Sequence, residues 1–192
     1  MQLLSVNIGI ARPLRVAGAR TVLSAIGKAP LEGAVGVTAL GLKGDEQADL
    51  SVHGGLDKAA YAYPSEHLAF WEQERRERGV SLFDEPLAPG FMGENLLISG
   101  LLETEVWIGD TLHFPDCSLR VTAPREPCFK FTEVMGFAQA GKRMMQKGCS
   151  GFYLAVSRPG ELSAGQTFTV EPGQRGLRVS EAFQGKRIKH LR

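Results

Sequence analysis

The chain has 192 residues with ordinary apolar and charged fractions, enough to bury a full core as one domain. Its 22 Lys and Arg against 21 Asp and Glu leave a formal net charge of +1, which argues against a nucleic-acid protein driven by bulk electrostatics. No apolar run approaches a membrane span and no basic-then-apolar leader opens the chain, so a cytoplasmic location is the default expectation.

Leu4, Val6, Ile8 and Ile10 alternate with Ser5, Asn7 and Gly9, which predicts an opening strand closed off by Arg12-Pro13. A short mixed run from Thr21 to Ile26 ends in a turn with Lys28 at its tip. Val35 to Leu42 reads as a further strand. It delivers the chain into Gly44-Asp45-Glu46-Gln47-Ala48-Asp49, followed closely by His53-Gly54-Gly55-Leu56-Asp57-Lys58. Acids, a histidine, a glycine pair and a lysine between a strand and a helix are placed for chemistry more than for burial.

Pro64-Ser65-Glu66 has the composition of a first helical turn. Leu68 and Trp71 share one face, Glu72–Arg76 and Glu74–Arg78 are four-spaced ion pairs on another, and Gly79 is a C-terminal cap, so a surface helix of about four turns is expected. His67 on it reads as partly exposed. Residues 81–89 read as loop. Gly90-Phe91-Met92-Gly93-Glu94-Asn95 reads as a tight turn that either aims Glu94 and Asn95 at a ligand or lets Asn95 bond its own backbone.

The second half is strand after strand. Val106 and Ile108, then Leu112 and Phe114, alternate around a bend at Gly109-Asp110, and Leu119, Val121 and Ala123 run into Pro124. Met135 to Lys147 is a helix candidate capped by Gly148, with Phe152 to Val156 and Phe168 to Val170 as the last strands. The basic tail from Lys186 reads as a solvated end. Short, closely spaced strands with few helices predict a mostly β domain with flanking helices (α+β), closed into a barrel, as a single unit over residues 1–192. Neither a GxGxxG nor a P-loop is present, which disfavours an α/β nucleotide-binding fold.

A second chemical centre is Pro124-Arg125-Glu126-Pro127-Cys128-Phe129-Lys130. The prolines stiffen the backbone, and cations near a thiol favour the thiolate, which is the nucleophile and the soft metal ligand. A cysteine is more often a small buried apolar residue, and Cys117 and Cys149 are read that way. With no CxxC among the three, neither a disulfide framework nor a structural zinc site is expected. His53 with His67 matches no common zinc spacing, while Cys128 with His53 fits the residue types of a nucleophilic pair. Asp45 and Asp49 could be paired carboxylates or local caps. Lys28, Lys58 and Arg12 are anion contacts only if folding brings them together.

Read together, Gly44–Asp49, His53–Ala59, Tyr63-Pro64, Glu66-His67, Gly93-Glu94-Asn95-Leu96, Ile108-Gly109-Asp110 and Pro124–Cys128 stand in the order seen in MOSC-domain proteins, and resemble their bacterial YiiM-type branch. The resemblance covers about residues 26–170. It implies a MOSC-type β-barrel that binds the molybdenum cofactor (molybdopterin), with Cys128 as the protein ligand to the metal. It also implies reduction of N-hydroxylated small molecules, such as 6-hydroxylaminopurine-like base analogues, in detoxification. Cys128, His53 and Arg125 are then the catalytic candidates, with His53 relaying a proton. Lys28, Lys58, Asn95, Arg125 and Cys128 are the candidates for holding the cofactor. No NAD or flavin fingerprint is present, so a separate reductase is expected to supply electrons; a homodimer is left open. There are two departures from the resemblance: that branch often continues into a small three-helix C-terminal domain, which is not expected in full from the short basic stretch after the last predicted strand, and Gly165-Gln166 stands where Gly-Asp is usual. Sulfur transfer through a Cys128 persulfide and a non-catalytic cofactor carrier are the alternatives.

Overall fold

The computed structural model describes residues 1–48, 54–81 and 85–190. In chain order the first half holds β1 (Gln2–Ile8), β2 (Arg12–Val16), β3 (Arg20–Ser24), β4 (Ala29–Pro30), β5 (Val35–Thr38), β6 (Gly41–Leu42), β7 (Ala60–Pro64), α1 (Leu68–Glu77) and β8 (Leu96–Ser99). The second half holds β9 (Thr111–His113), β10 (Ser118–Pro124), α2 (Phe129–Met135), α3 (Ala140–Lys147), β11 (Phe152–Arg158), β12 (Gly160–Leu162), β13 (Thr169–Glu171) and α4 (Val179–His190). The architecture is mostly β with a few helices.

Eight strands form the main sheet in the order β13-β9-β10-β11-β7-β8-β1-β4, antiparallel except for the parallel β7–β8 pair. Residues 165–168, just before β13, bond back to the first residues of β1: Leu3 N–H donates to the Gln166 carbonyl at 2.8 Å and Gly165 N–H to the Leu3 carbonyl at 2.8 Å. This bends the sheet around one core. No ladder joins the edge strands β13 and β4, so among the described residues the sheet is open and shows no barrel closure.

Both faces of the central strands are buried, and the period of two sorts their side chains. Ala60 and Ala62 of β7, Leu96 and Ile98 of β8, and Phe152 and Leu154 of β11 enter the core inside the curve. Tyr61, Tyr63 and Leu97 point the other way, into a second cluster with Trp71, Phe131, Met135, Met144 and Phe183 from the four helices. The helix-covered face therefore carries the tyrosines and, as shown below, the cleft.

Several expectations are corrected. A β-bulge between Leu3 and Ser5 breaks the alternation of β1, so Leu3 and Val6 are buried while Leu4 faces out. Arg12-Pro13 does not end the first strand region but opens the β2–β3 hairpin, with Pro13 in a two-stranded ladder whose edge tolerates it. Val35 to Leu42 is a hairpin that turns at Ala39-Leu40. Val106 and Ile108 lie in a turn, not a strand, with a single bridge from Trp107 to Arg178. The expected Met135–Lys147 helix is present as α3 with its Gly148 cap but starts only at Ala140; Met135 instead ends α2, an unforeseen helix that Gly136 closes in a left-handed conformation (φ 79°). Glu74 is buried and not a surface residue; Arg143 and Arg78 both bond its carboxylate. Ahead of the basic tail, α4 docks through Val179 and Phe183, both buried; at the start of the tail Lys186 pairs with Glu126 at the surface, and the side chains beyond it lie outside the described residues.

Candidate functional site

Above the tyrosine face lies an open cleft with ≈ 640 Å³ of empty volume. Its walls are the Ser24–Lys28 connection, residues 45–48, Lys58 and Tyr61, Gly93 and Asn95, the segment from Arg125 to Lys130, and Tyr153. The two chemical centres of the sequence, far apart along the chain, meet here. Lys28, Lys58, Asn95, Arg125 and Cys128 all line it. His53 and Asp49 lie outside the described residues, and Arg12 sits on the exposed hairpin, away from the cleft wall.

Local chemistry explains the loop that carries Cys128. Pro124 ends β10, and Pro127 lacks an N–H and cannot extend a ladder. Cys128 is extended (φ −126°, ψ 169°) and half-buried, and α2 starts directly behind it. None of the three cysteines forms a disulfide. Cys117 and Cys149 are buried away from the cleft, and burial pushes their thiols up to about 11 and about 12.

Arg125 is the most constrained charge of the site. It is 4% exposed, and its guanidinium stacks 5.1 Å from the Tyr61 ring and 4.9 Å from the Phe131 ring. Burial works against its charge, but Tyr61, Tyr153 and the Cys128 sulfur more than offset that and hold it firmly cationic. Its Nη1 has no hydrogen-bond partner among the described residues. A buried guanidinium with an unused donor costs stability unless something fills the vacancy, which makes it an anion contact in waiting.

The remaining polar candidates are engaged with one another. Lys28 is ion-paired with Asp45; burial lowers its pKa and Asp45 opposes the shift. Asp45 also accepts from Gly9 N–H and Asn95 Nδ2, both at 2.8 Å. Asn95 completes its set with the Asn7 carbonyl and Tyr61 N–H at 3.1 Å each. It thus braces β1 and β7 against the acidic loop, and bonds neither its own backbone nor an open position. Glu94 does not reach the cleft: it accepts from Gly90 N–H at 2.6 Å and Met92 N–H at 3.0 Å, folding back into its own turn. Lys58 lies 5.4 Å from the Tyr153 ring, and Lys130 Nζ donates to the Leu23 carbonyl at 3.1 Å.

Tyr61 and Tyr153 were not foreseen as site residues. They are register partners on β7 and β11, with ring centroids 5.6 Å apart. The alternation of Tyr61-Ala62-Tyr63 and of Phe152-Tyr153-Leu154 holds the signal, since a tyrosine opposite the apolar face must find a polar environment. A hydrogen-bonded series Glu171–His113–Ser118 on β13, β9 and β10 also resembles a catalytic grouping, but Ser118 is 5% exposed and lines no cleft.

Among the described residues no three His, Cys, Asp or Glu side chains converge. A metal bound in the cleft would therefore bring most of its ligands with it, leaving Cys128 as a single soft protein donor.

The MOSC domain family model matches residues 49–169, a span that includes Lys58, Asn95, Arg125, Cys128 and Tyr153. The chain belongs to the MOSC-domain family. It is 37% identical over 159 residues to Protein YiiM of Escherichia coli, covering 83% of this chain and 69% of that one. It is 33% identical over 150 residues to a protein of Gibberella moniliformis named Reductase, covering 78% of this chain but 26% of that longer one. The crystal structure of YiiM from Geobacillus stearothermophilus superposes with a TM-score of 0.76 at 29% identity, over 100% of this chain and 86% of that one. This MOSC domain has no helix, among the described residues, long and apolar enough to cross a membrane.

Proposed function

We propose that this MOSC-domain protein is a molybdenum-cofactor-dependent reductase of N-hydroxylated small molecules. The observation that carries the reading is the pairing, in one cleft, of an accessible thiol at Cys128 with the buried, incompletely bonded guanidinium of Arg125. A molybdenum–pterin group needs a soft donor for the metal and cationic contacts for its anionic part, and these residues fit both needs. The relative named Reductase adds weight to the redox class.

Cys128 would hold the metal through its sulfur. Arg125, with Lys58 and Lys130 on the same wall, would hold the anionic part of the cofactor. Lys28 and Asn95 act at one remove by fixing Asp45 and the acidic loop. When bound, the cofactor supplies two-electron reduction, and a separate electron-transfer protein replenishes it. The reading includes a cytoplasmic setting, which keeps the thiols reduced.

The test is molybdenum and pterin content of the protein from a host that makes the cofactor, beside Cys128→Ala. The expected result is near-stoichiometric metal in the wild type and at least a tenfold loss in the variant. N-hydroxy reduction with a chemical donor should fall with it. Full activity in Cys128→Ala would overturn the reading. Metal-free wild type carrying cyanide-labile sulfur would replace it with persulfide chemistry, and loaded protein without turnover would make it a carrier.

A further inference from the structure

Reducing R–NH–OH to an amine and water consumes two electrons and two protons, so the cleft needs a proton donor as well as an electron source. Most of its acidic hydrogens are already committed. Lys28 is paired with Asp45, Lys130 donates to the Leu23 carbonyl, and the Tyr61 hydroxyl donates to the Ser150 carbonyl at 2.8 Å. Tyr153 differs. It stands beside Tyr61 on the same sheet face and lines the cleft near Cys128. The Arg125 guanidinium lies on the same cleft wall, and its charge favours the phenolate form of Tyr153. Among the described residues no acceptor takes the Tyr153 O–H. A phenol that lines the cleft beside a guanidinium, with its proton uncommitted, is arranged to donate.

The geometry points to Tyr153 as the proton donor of the reduction, a role that rests on the functional reading above. As the N–O bond of the substrate breaks, the Tyr153 O–H bond breaks with it and the proton passes to the departing oxygen, which leaves as water. The second proton reaches nitrogen from solvent. The two electrons come from the reduced molybdenum–pterin group, recharged by a reduced flavin or iron–sulfur protein. The phenolate left behind is stabilised by the Arg125 cation beside it and is reprotonated from solvent through the open cleft. Burial pushes the phenol above its ordinary value and Arg125 opposes that, so the group stays protonated through neutral pH and is always loaded.

The experiment compares wild type with Tyr153→Phe, both loaded with cofactor, using reduced viologen as donor so that no partner protein is needed. The expected result is unchanged molybdenum content, KM within about fivefold, and kcat lower by about 100-fold. The flat wild-type profile between about pH 6 and 8 should become, in the variant, a rate that rises as pH falls and as small buffer acids are added. A structural role would produce neither the kcat-against-KM split nor the buffer rescue. A readout without turnover uses cofactor-free protein labelled with ¹³C at tyrosine Cζ. The resonance absent from Tyr153→Phe should shift on adding an unreactive O-methyl hydroxylamine.

A variant with kcat within twofold of wild type, an unmoved resonance, or an effect confined to metal loss or KM would each overturn the assignment. Wild type that holds the cofactor but reduces no N-hydroxylated compound would instead overturn the functional reading, and the assignment with it.

Discussion

Arg125 packs its guanidinium 5.1 Å from the Tyr61 ring while leaving Nη1 without a hydrogen-bond partner among the described residues. The stacking fixes the side chain, and the unused donor carries a desolvation cost that a bound anion would repay. Replacing Arg125 with Met should therefore leave the melting temperature of cofactor-free protein unchanged or slightly raised, since an apolar side chain of similar length removes a buried charge. Cofactor content should nonetheless drop at least tenfold. Full retention of the cofactor would show that its anionic part is held by other residues.

How far this site was legible follows from the kind of signal each residue leaves. Cys128 and Arg125 stand in a stretch stiffened by two prolines, and local composition was enough to single them out. Lys28 and Asn95 could be placed at the cleft by resemblance, but their engagement with Asp45 depends on three segments meeting in space, which no local pattern reports. Tyr153 was hidden because its neighbours Phe152 and Leu154 mark the strand, and attention to the apolar face passes over what the other face presents. In the fold, strand periodicity located most of the main sheet. It failed where one residue changes the geometry: the bulge at Leu4 inverts an alternation, and the left-handed Gly136 closes α2 and delays the next helix to Ala140. The docking of α4 rests on Val179 and Phe183, one helical turn apart just ahead of the basic tail, too short an apolar pattern to mark a helix.

Glu94 gives the protein a pH-dependent stability. Burial pushes its carboxyl up to about 7, against the pull of the backbone N–H groups of Gly90 and Met92 and of the Arg125 charge. The folded state thus keeps a proton that the unfolded chain releases near 4.5. Stability from this group is fully present below that lower value and is lost as pH rises through about 7, by on the order of 3 kcal/mol. Glu94→Gln cannot ionise, and one of the two backbone N–H groups then faces an amide nitrogen. The variant should be less stable at low pH but should lack the decline between about pH 4.5 and 7. Denaturant titrations at a series of pH values report this, and parallel curves for the two proteins would reject it.

Phe183 ties α4 to the face that carries the cleft. It is 1% exposed and packs in one cluster with Trp71 and Phe131, while Phe131 also contacts the Arg125 guanidinium. Three residues further along, Lys186 pairs with Glu126 at the surface, both side chains more than a third exposed. The two contacts differ in physical kind, so their deletion should differ in cost. Phe183→Ala leaves a cavity among aromatic side chains and should cost about 3 kcal/mol. Lys186→Ala removes a screened surface pair and should cost about 0–1 kcal/mol. Because Phe183 and Phe131 belong to one buried cluster, Phe183→Ala should also loosen the support under Arg125 and quicken alkylation of Cys128, the cysteine of the three that lines the cleft. Urea midpoints and the rate of iodoacetamide labelling measure the two effects. Equal, small costs for both variants would mean that α4 contributes no packing energy and that the Cys128 loop stands without it.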